Sequence, residues 1–362
     1  MSRTTLQKSK SILIHFFSGT GNTAYVVNSL KKELENRSIV VRTYFIGRDD
    51  LVSYESIDLH LFCFPIHAWS APVNVKKYIS SLSNIKDRNC AILSIGGALS
   101  ISSPGFGGQA IYQVESMIRK KEGRITYTNE IYLPDNWIQF TNPPLLEEVE
   151  KLFSKANESI LEVAESILNE EPHFFKVSRF HILWSAMISS LYGWIGRRAL
   201  GKLFIADDNC GACGICVKNC PSNSISLKGI SRQFPQWDFN CLGCNRCINL
   251  CPDKAIQMSY GRAILGILTF MSLFYFLHPM ISSIVPFFPQ PKSMIYQTII
   301  NYTIGIFIIA VFHILYYTLF DKILGYLQQI QPFRKFFLFN WTNSFRRYRV
   351  KGIRLGKSNS KH

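Results

Sequence analysis

Eight of the ten cysteines in this chain fall into two short runs that share one spacing. Each run has the form C-x2-C-x2-C-x3-C-P, first at residues 210–221 and again at residues 241–252. The first run contributes Cys210, Cys213, Cys216 and Cys220, and the second contributes Cys241, Cys244, Cys247 and Cys251. Three thiolates this close in sequence can bind three corners of one cubane cluster, so this segment is expected to fold around metal.

The same spacing is typical of bacterial two-cluster ferredoxins, in which the fourth cysteine of each run ligates the other cluster. This resemblance implies two [4Fe–4S] clusters with crossed ligand sets. One set would be Cys210, Cys213, Cys216 and Cys251, and the other Cys241, Cys244, Cys247 and Cys220. The proline that follows each run turns the chain and lacks an N–H donor.

Zinc and disulfides are the alternatives to iron–sulfur clusters. Zinc ribbons also use C-x2-C pairs, but zinc needs four ligands and gives no reason for a repeated triplet with Cys-Pro. Disulfides require an oxidising compartment, and the first residues contain no apolar signal core. We therefore expect a reducing cytoplasm. Cys63 and Cys90 lie in apolar, strand-like runs, and we expect them to be buried core residues.

A second motif lies near the start of the chain. An apolar run at residues 11–17 predicts a buried strand, and a helical pattern covers residues 24–35. The loop between them is Ser18-Gly-Thr-Gly-Asn-Thr23, which offers backbone N–H groups and hydroxyls to a phosphate at the start of the helix. It contains no lysine and so is not an ATP-type P-loop. A turn that only caps its helix remains an alternative.

This loop resembles the first loop of the flavodoxins, which has the form Thr/Ser-x-Thr-Gly-x-Thr and binds the phosphate of FMN. The resemblance implies that two later loops contact the flavin ring, one after a strand at 59–64 and one after a strand at 90–95. Trp69 could instead anchor its own loop. The predicted FMN-binding residues are Ser18, Gly19, Thr20, Gly21, Asn22, Thr23, His67, Ala68, Trp69, Gly96 and Gly97.

Strands at 11–17, 38–45, 59–64, 90–95 and 124–132 alternate with helices, as an α/β doubly wound parallel sheet requires. The predicted fold is this flavodoxin-like sheet, a small α+β ferredoxin domain and a two-helix transmembrane hairpin. The predicted boundaries are 1–142 for the FMN-binding domain, 143–203 for a helical linker, 204–260 for the 2[4Fe–4S] ferredoxin domain, 261–322 for the hairpin and 323–362 for a basic cytoplasmic tail.

The composition indicates a membrane part, because 47% of the 362 residues are hydrophobic and the mean hydropathy is +0.08. Residues 263–285 and 295–320 contain no Asp, Glu, Lys or Arg, and each is long enough to cross a bilayer as a helix. A buried helical hairpin is the alternative. Residues 180–195 are too few for a comfortable span. They suit either a helix at the lipid surface or a helix packed between the two redox domains.

The tail from residue 321 contains ten Lys or Arg and one acidic residue. By the positive-inside rule it should stay in the cytoplasm, so a multi-pass protein in the cell membrane would hold its redox domains on that side. We expect attraction of the tail to membrane lipid rather than to nucleic acid.

Together, residues 11–258 resemble the EFR-type flavodoxin–ferredoxin fusion family. The resemblance implies electron transfer between FMN and two [4Fe–4S] clusters, with an unidentified redox donor and acceptor, and it implies no substrate. We find no acid–base pair or activated nucleophile in the sequence and predict no catalytic side chain. The alternatives are an FMN-dependent reductase of a quinone or a small molecule, and a membrane scaffold or redox sensor.

Overall fold

The computed structural model describes most of the chain. The described residues are 10–47, 49, 57–83, 85–103, 105–229, 232–284, 296, 298, 300, 302–303, 305–307, 316–350 and 352–353. Within them, the strands form one six-stranded sheet and two small two-stranded sheets.

The large sheet is parallel throughout and has the strand order β2-β1-β3-β4-β5-β6. Its strands are β1 (Ser11–Phe16), β2 (Val40–Phe45), β3 (Leu59–Pro65), β4 (Asn89–Ala98), β5 (Arg124–Pro134) and β6 (His173–Phe174). The order 2-1-3-4-5 is that of flavodoxin-like folds, in which the ligand binds where the order reverses. The predicted α/β doubly wound sheet is therefore confirmed, with a short sixth strand added at one edge.

Helices cover both faces of this sheet, so its central strands are apolar runs rather than alternating ones. Residues 12–14 of β1 and 61–64 of β3 have no exposed surface. The covering helices are α1 (Asn22–Asn36), α2 (Val73–Ser81), α3 (Ala110–Lys120) and α4 (Leu146–Leu168). Cys63 and Cys90 lie in this core, and burial raises the pKa of the Cys90 thiol to about 12.

Helix α4 belongs to this α/β unit, because its buried residues Ala156, Ile160 and Val163 share the core with β1 and α1. Strand β6 follows α4 and pairs with β5. The predicted domain boundary at residue 142 is therefore too early. The amphipathic pattern of α4 was visible in the sequence, but the surface that its apolar face covers was not.

The second unit contains both cysteine runs and is built from two similar halves. Strands β7 (Phe204–Ala206) and β10 (Ile256–Met258) pair antiparallel, as do β8 (Ile225–Lys228) and β9 (Phe234–Trp237). Each cysteine run leads into a short helix, α7 (Ile215–Lys218) or α8 (Arg246–Leu250), through one left-handed residue, Gly214 or Asn245. This arrangement agrees with the predicted small α+β domain.

A nearly continuous helical segment joins the two units. It consists of α5 (Arg179–Leu191), a π-helical turn (Tyr192–Gly196) and α6 (Arg197–Lys202). Gln109 of the α/β unit donates to the Ser189 hydroxyl, and Arg197 donates to the Cys241 carbonyl at 2.6 Å. One side of the segment therefore packs between the two units, as one of the two predicted alternatives has it.

The remaining helices are α9 (Tyr260–Ile284), α10 (Asp321–Leu327) and α11 (Gln331–Leu338), with a π-helical turn at Tyr316–Phe320. Across the described part of the chain, no helix combines the length and the apolar character that a membrane crossing requires. Most of the second predicted span, 295–320, lies outside the described residues. After α11 the chain returns to the two units, so the described part of the predicted basic tail packs against the protein.

Candidate redox site

A cleft lies at the carboxyl ends of the parallel strands, where the strand order reverses between β1 and β3. It encloses about 630 Å³, part of which is open to solvent. Its walls are formed by Ser18, Gly19, Thr20, Asn22, Thr23, Pro65, Ile66, His67, Ala68, Ile95, Gly96, Gly97, Asp135, Asn136, Trp137, Tyr192, Gly243, Cys244 and Asn245.

The loop before α1 presents polar groups to one end of this cleft. Ser18 and Thr23 are buried, and the Ser18 hydroxyl accepts a hydrogen bond from the Ala24 N–H at 3.3 Å. The Thr23 hydroxyl oxygen is buried and has no partner among the described residues. Because α1 begins at Asn22, unpaired backbone N–H groups face the same place. The loop therefore fits an anionic group such as a phosphate.

The second predicted loop divides its residues between two places. His67 and Ala68 line the cleft, and burial lowers the pKa of His67 to about 4, so its imidazole is neutral near pH 7. Trp69 does not line the cleft. Its ring lies 5.2 Å from that of Trp184 on α5, centroid to centroid. The structure thus places Trp69 as an anchor for its loop, which was the alternative reading.

The third predicted loop brings two glycines to the cleft wall. A Cβ atom on Gly96 would lie 2.5 Å from the Tyr132 ring, and one on Gly97 would lie 2.7 Å from the Asp135 carboxylate. A larger residue at either position would need its neighbour to move. Gly21 is placed differently, because it caps α1 at a φ of 122° and faces Val350 rather than the cleft.

Two aromatic side chains that the sequence analysis did not select line the cleft. Trp137 follows β5, and Tyr192 starts the π-helical turn after α5, with their ring centroids 6.2 Å apart. The loop after β5 also supplies Asn136, which donates to the Thr20 hydroxyl at 2.6 Å. The position of this loop after a central strand was a usable signal for Trp137, whereas nothing local in the sequence places Tyr192 here.

The eight clustered cysteines form two groups in space. Within each group the thiols are close enough to affect one another electrostatically. One group contains Cys210, Cys213, Cys216 and Cys251, and the other contains Cys220, Cys241, Cys244 and Cys247. Each group therefore takes its fourth member from the other run, as the ferredoxin resemblance implies. All eight are free thiols. No three His, Cys, Asp or Glu side chains of the described residues converge as ligands of a single metal ion.

The donor set and its surroundings fit iron–sulfur ligation. Backbone N–H groups point at several sulfurs: Ser224 N–H to Cys220 Sγ at 3.3 Å, Ala255 N–H to Cys251 Sγ at 3.3 Å and Gly243 N–H to Cys241 Sγ at 3.4 Å. Such bonds stabilise thiolates and tune cluster potentials.

The two groups differ in burial. In the second group, burial raises the pKa of the Cys241 thiol to about 12, so bound iron would have to displace that proton. In the first group, Cys213 is exposed.

The second cysteine run forms part of the cleft wall. A Cβ atom on Gly19 would lie 2.9 Å from the Cys244 carbonyl oxygen, so the phosphate-type loop and the run are in backbone contact. The buried Arg246 guanidinium holds them together. It donates to the carbonyls of Gly19 at 2.8 Å and Asn219 at 3.0 Å, and to that of Ser18. None of the first group's four cysteines lines the cleft.

Comparison with known proteins agrees with this division into two units. Residues 209–256 match the family model for the 4Fe–4S dicluster domain. Among curated proteins, no sequence match was found.

Solved structures similar to part of the chain include three small proteins. A Fusobacterium nucleatum flavodoxin bound to flavin mononucleotide is 13% identical and covers 43% of this chain and 98% of its own, with a TM-score of 0.30. General stress protein 14 from Treponema denticola, in complex with FMN, is 12% identical. The match covers 43% of this chain and 99% of that protein, with a TM-score of 0.32. Megasphaera elsdenii flavodoxin is 16% identical. The match covers 41% of this chain and 98% of that protein, with a TM-score of 0.29.

At these TM-scores the similarity adds nothing to the strand order, which by itself identifies the flavodoxin-like topology. The chain thus combines a flavodoxin-like α/β unit with a segment that matches the 4Fe–4S dicluster domain.

Proposed function

We propose that this protein transfers electrons between FMN, held in the cleft, and two [4Fe–4S] clusters held by the crossed cysteine groups. When bound, FMN exchanges one or two electrons and each cluster exchanges one, so the pair can split or merge electron pairs. The observation that carries the proposal is that Gly243, Cys244 and Asn245 form one wall of the cleft. The flavin site and the second cysteine group are therefore in contact, with no intervening domain.

In this proposal the cleft residues bind and orient FMN. The α1 N-terminus and the Thr23 hydroxyl would bind the phosphate, and Trp137 and Tyr192 offer their rings to the isoalloxazine. His67 is neutral at pH 7 and so adds no charge beside the ring. Arg246 fixes the distance between the phosphate loop and Cys244 through its three carbonyl contacts.

The two cysteine groups would have different roles. The group of Cys241, Cys244, Cys247 and Cys220 lies against the cleft and would exchange electrons with the flavin. The group that contains the exposed Cys213 lies away from the cleft and would exchange electrons with an external partner. The direction of flow depends on cluster potentials, which hydrogen bonds and exposure set.

The proposal also includes anchoring of the protein to a membrane, which the sequence predicts. The uncharged segments 263–285 and 295–320 and the basic tail support it.

A matched pair of variants tests the proposed electron path. Cys244→Ser and Cys213→Ser should each lose iron, about four atoms for a complete cubane, while both keep FMN. After rapid anaerobic mixing with a reductant, absorbance should show fast exchange between flavin and iron–sulfur in Cys213→Ser and slow exchange in Cys244→Ser. Equal exchange rates in the two variants, at equal iron contents, would contradict the assignment of the second group as the flavin's neighbour.

A further inference from the structure

Helix α5 has the reverse of the polarity expected for a helix on a soluble domain. Such helices turn apolar residues inward and polar residues outward. In α5 the fully buried side chains are Ser185 and Ser189, at 0% and 2% exposure. Its most exposed large apolar side chains are Phe180, Leu183, Met187 and Leu191, at 63–74%. They recur every three or four residues, so they form one stripe on the solvent side.

The inward side of α5 is fixed by specific contacts, so the stripe is not a consequence of a loosely placed helix. A Cβ atom on Gly108 would lie 2.8 Å from the Ser185 Cβ, which shows close backbone packing. Ser189 accepts from the buried Gln109 amide, and Trp184 packs on Trp69. A rotation of α5 that buried Leu183 and Met187 would break all three contacts.

Aromatic and basic residues border this stripe. Trp184 and Trp194 are 41% and 56% exposed, and tryptophan is enriched at membrane–water interfaces. Lys176 and Arg179 are exposed just before the stripe begins, and basic side chains near a membrane surface attract anionic headgroups. No acidic residue lies between residues 172 and 206.

The far end of the same helical segment is tied to the apolar helix α9. Lys202, the last residue of α6, donates to the Asp321 carboxylate at 2.6 Å. Arg262 in the first turn of α9 donates to the other oxygen of that carboxylate at 2.9 Å. On α9 the exposed side chains again include large apolar ones, among them Ile267, Leu268 and Met271. The exposed stripe of α5 thus leads along a nearly continuous helical segment to a second apolar surface.

We infer that α5 lies in the interface of an anionic lipid bilayer, with Phe180, Leu183, Met187 and Leu191 in the acyl-chain region and Lys176 and Arg179 among the headgroups. Tyr192, the residue that follows α5, lines the cleft, so this placement would bring one wall of the cleft close to the membrane surface. The inference rests on the packing of α5 and is independent of the proposed redox function.

The test uses the full chain in vesicles of phosphatidylcholine and phosphatidylglycerol whose acyl chains carry bromine, which quenches tryptophan fluorescence at close range. The Trp194 signal is the emission difference between wild type and Trp194→Phe. We expect most of it to be quenched by the brominated lipid, and less when phosphatidylglycerol is omitted. The corresponding difference for the buried Trp237 should be unaffected.

A second comparison keeps the test specific to the stripe. Leu183→Asp with Met187→Asp should abolish quenching of Trp194, because each buried apolar side chain is worth roughly a tenfold change in binding or more. Leu161→Asp, which changes a residue on α4 that is 47% exposed, should leave quenching intact. FMN and iron contents of the same samples show whether each variant is folded, separately from α5 binding.

Two outcomes would overturn the inference. One is Trp194 emission that is the same in brominated and ordinary vesicles. The other is emission that changes with protein concentration and not with lipid, since a second protein copy would then cover the stripe.

Discussion

At the scale of single residues, a buried arginine and a glycine hold the cleft loop against the second cysteine run. Arg246 is almost fully buried, and its guanidinium is satisfied by backbone carbonyls from both units. A buried charge is tolerated only when it is well hydrogen-bonded. Gly19 leaves the space that lets Cys244 approach the phosphate-type loop. The contact between the loop and the second cysteine run therefore depends on both residues.

The buried hydroxyl of Thr23 gives a prediction at this scale. Thr23→Val keeps the shape of the side chain and removes a hydroxyl that has no partner among the described residues. If that hydroxyl binds the FMN phosphate, its loss should weaken FMN binding by about 1.5–3 kcal/mol, or roughly 10- to 150-fold. The dissociation constant can be measured from flavin fluorescence on titration of the apoprotein.

The control is Thr126→Val, the same change at a hydroxyl that donates to the Cys90 carbonyl outside the cleft. This variant should bind FMN like the wild type. Equal FMN affinity in Thr23→Val and the wild type would remove Thr23 from the phosphate site.

At the scale of elements, the segment after α11 crosses both redox units. We call residues 340–350 the tail strap. Arg347 donates to the Ile256 carbonyl at 3.0 Å in the second unit, and the Trp341 indole donates to the Gln139 carbonyl at 2.9 Å in the first. Two basic residues of the tail, Arg346 and Arg347, thus donate hydrogen bonds to protein carbonyls.

The strap also reaches the phosphate-type loop, which gives a second prediction. The Tyr348 hydroxyl donates to the Asn22 side-chain oxygen at 2.8 Å and is buried. Tyr348→Phe should cost about 1 kcal/mol and weaken FMN binding several-fold, because Asn22 loses a fixed partner. Tyr25→Phe removes a hydroxyl bond of the same length, from α1 to Asn157 of α4, and should leave FMN affinity unchanged. Similar FMN affinities for the two variants would contradict a role of the strap in positioning the loop.

Helix α4 supplies a third prediction, on stability. Ile160 is buried against the sheet, whereas Leu161 beside it is about half exposed. Ile160→Ala should lower the free energy of unfolding by about 2–5 kcal/mol, since it leaves a cavity in the core. Leu161→Ala should change it by about 0.5 kcal/mol or less. Chemical denaturation, followed by a spectroscopic signal of the α/β unit, measures the free energy of unfolding of each variant. A small effect of Ile160→Ala would place α4 outside the core, as the predicted boundary at residue 142 did.

The sequence predicted the elements whose signals are local. The spacing of eight cysteines, the apolar runs of β1, β3 and β4, and the Ser18–Thr23 loop can each be recognised within a few residues. The packing of Trp69 could not be predicted, because it depends on Trp184, more than a hundred residues away. Tyr192 and Arg246 were not predicted as site residues, because they reach the site only when the helical segment after α5 and the second cysteine run pack on the loops that line the cleft. Such contacts leave no periodic or spacing signal.

At the scale of the whole molecule, the proposed electron path follows the order in which the cleft and the two cysteine groups lie. The cleft lies at the reversal point of the sheet, the second cysteine group forms its wall, and the first group lies beyond it toward solvent. Helices α5 and α6 and the tail strap pack against both units, so they fix this order in space. The same α5 presents its apolar stripe outward, which connects the redox path to the proposed lipid surface.

The central proposal is that one chain holds a flavin and two iron–sulfur clusters, with the flavin site against the second cysteine group. It is tested most directly by anaerobic purification followed by metal, sulfide and flavin analysis with a reductive titration in visible light. The account predicts about eight irons and eight acid-labile sulfides per chain, one FMN, and bleaching of both chromophores on reduction. Protein that contains stoichiometric zinc in place of iron, or that binds no FMN after reconstitution, would contradict it.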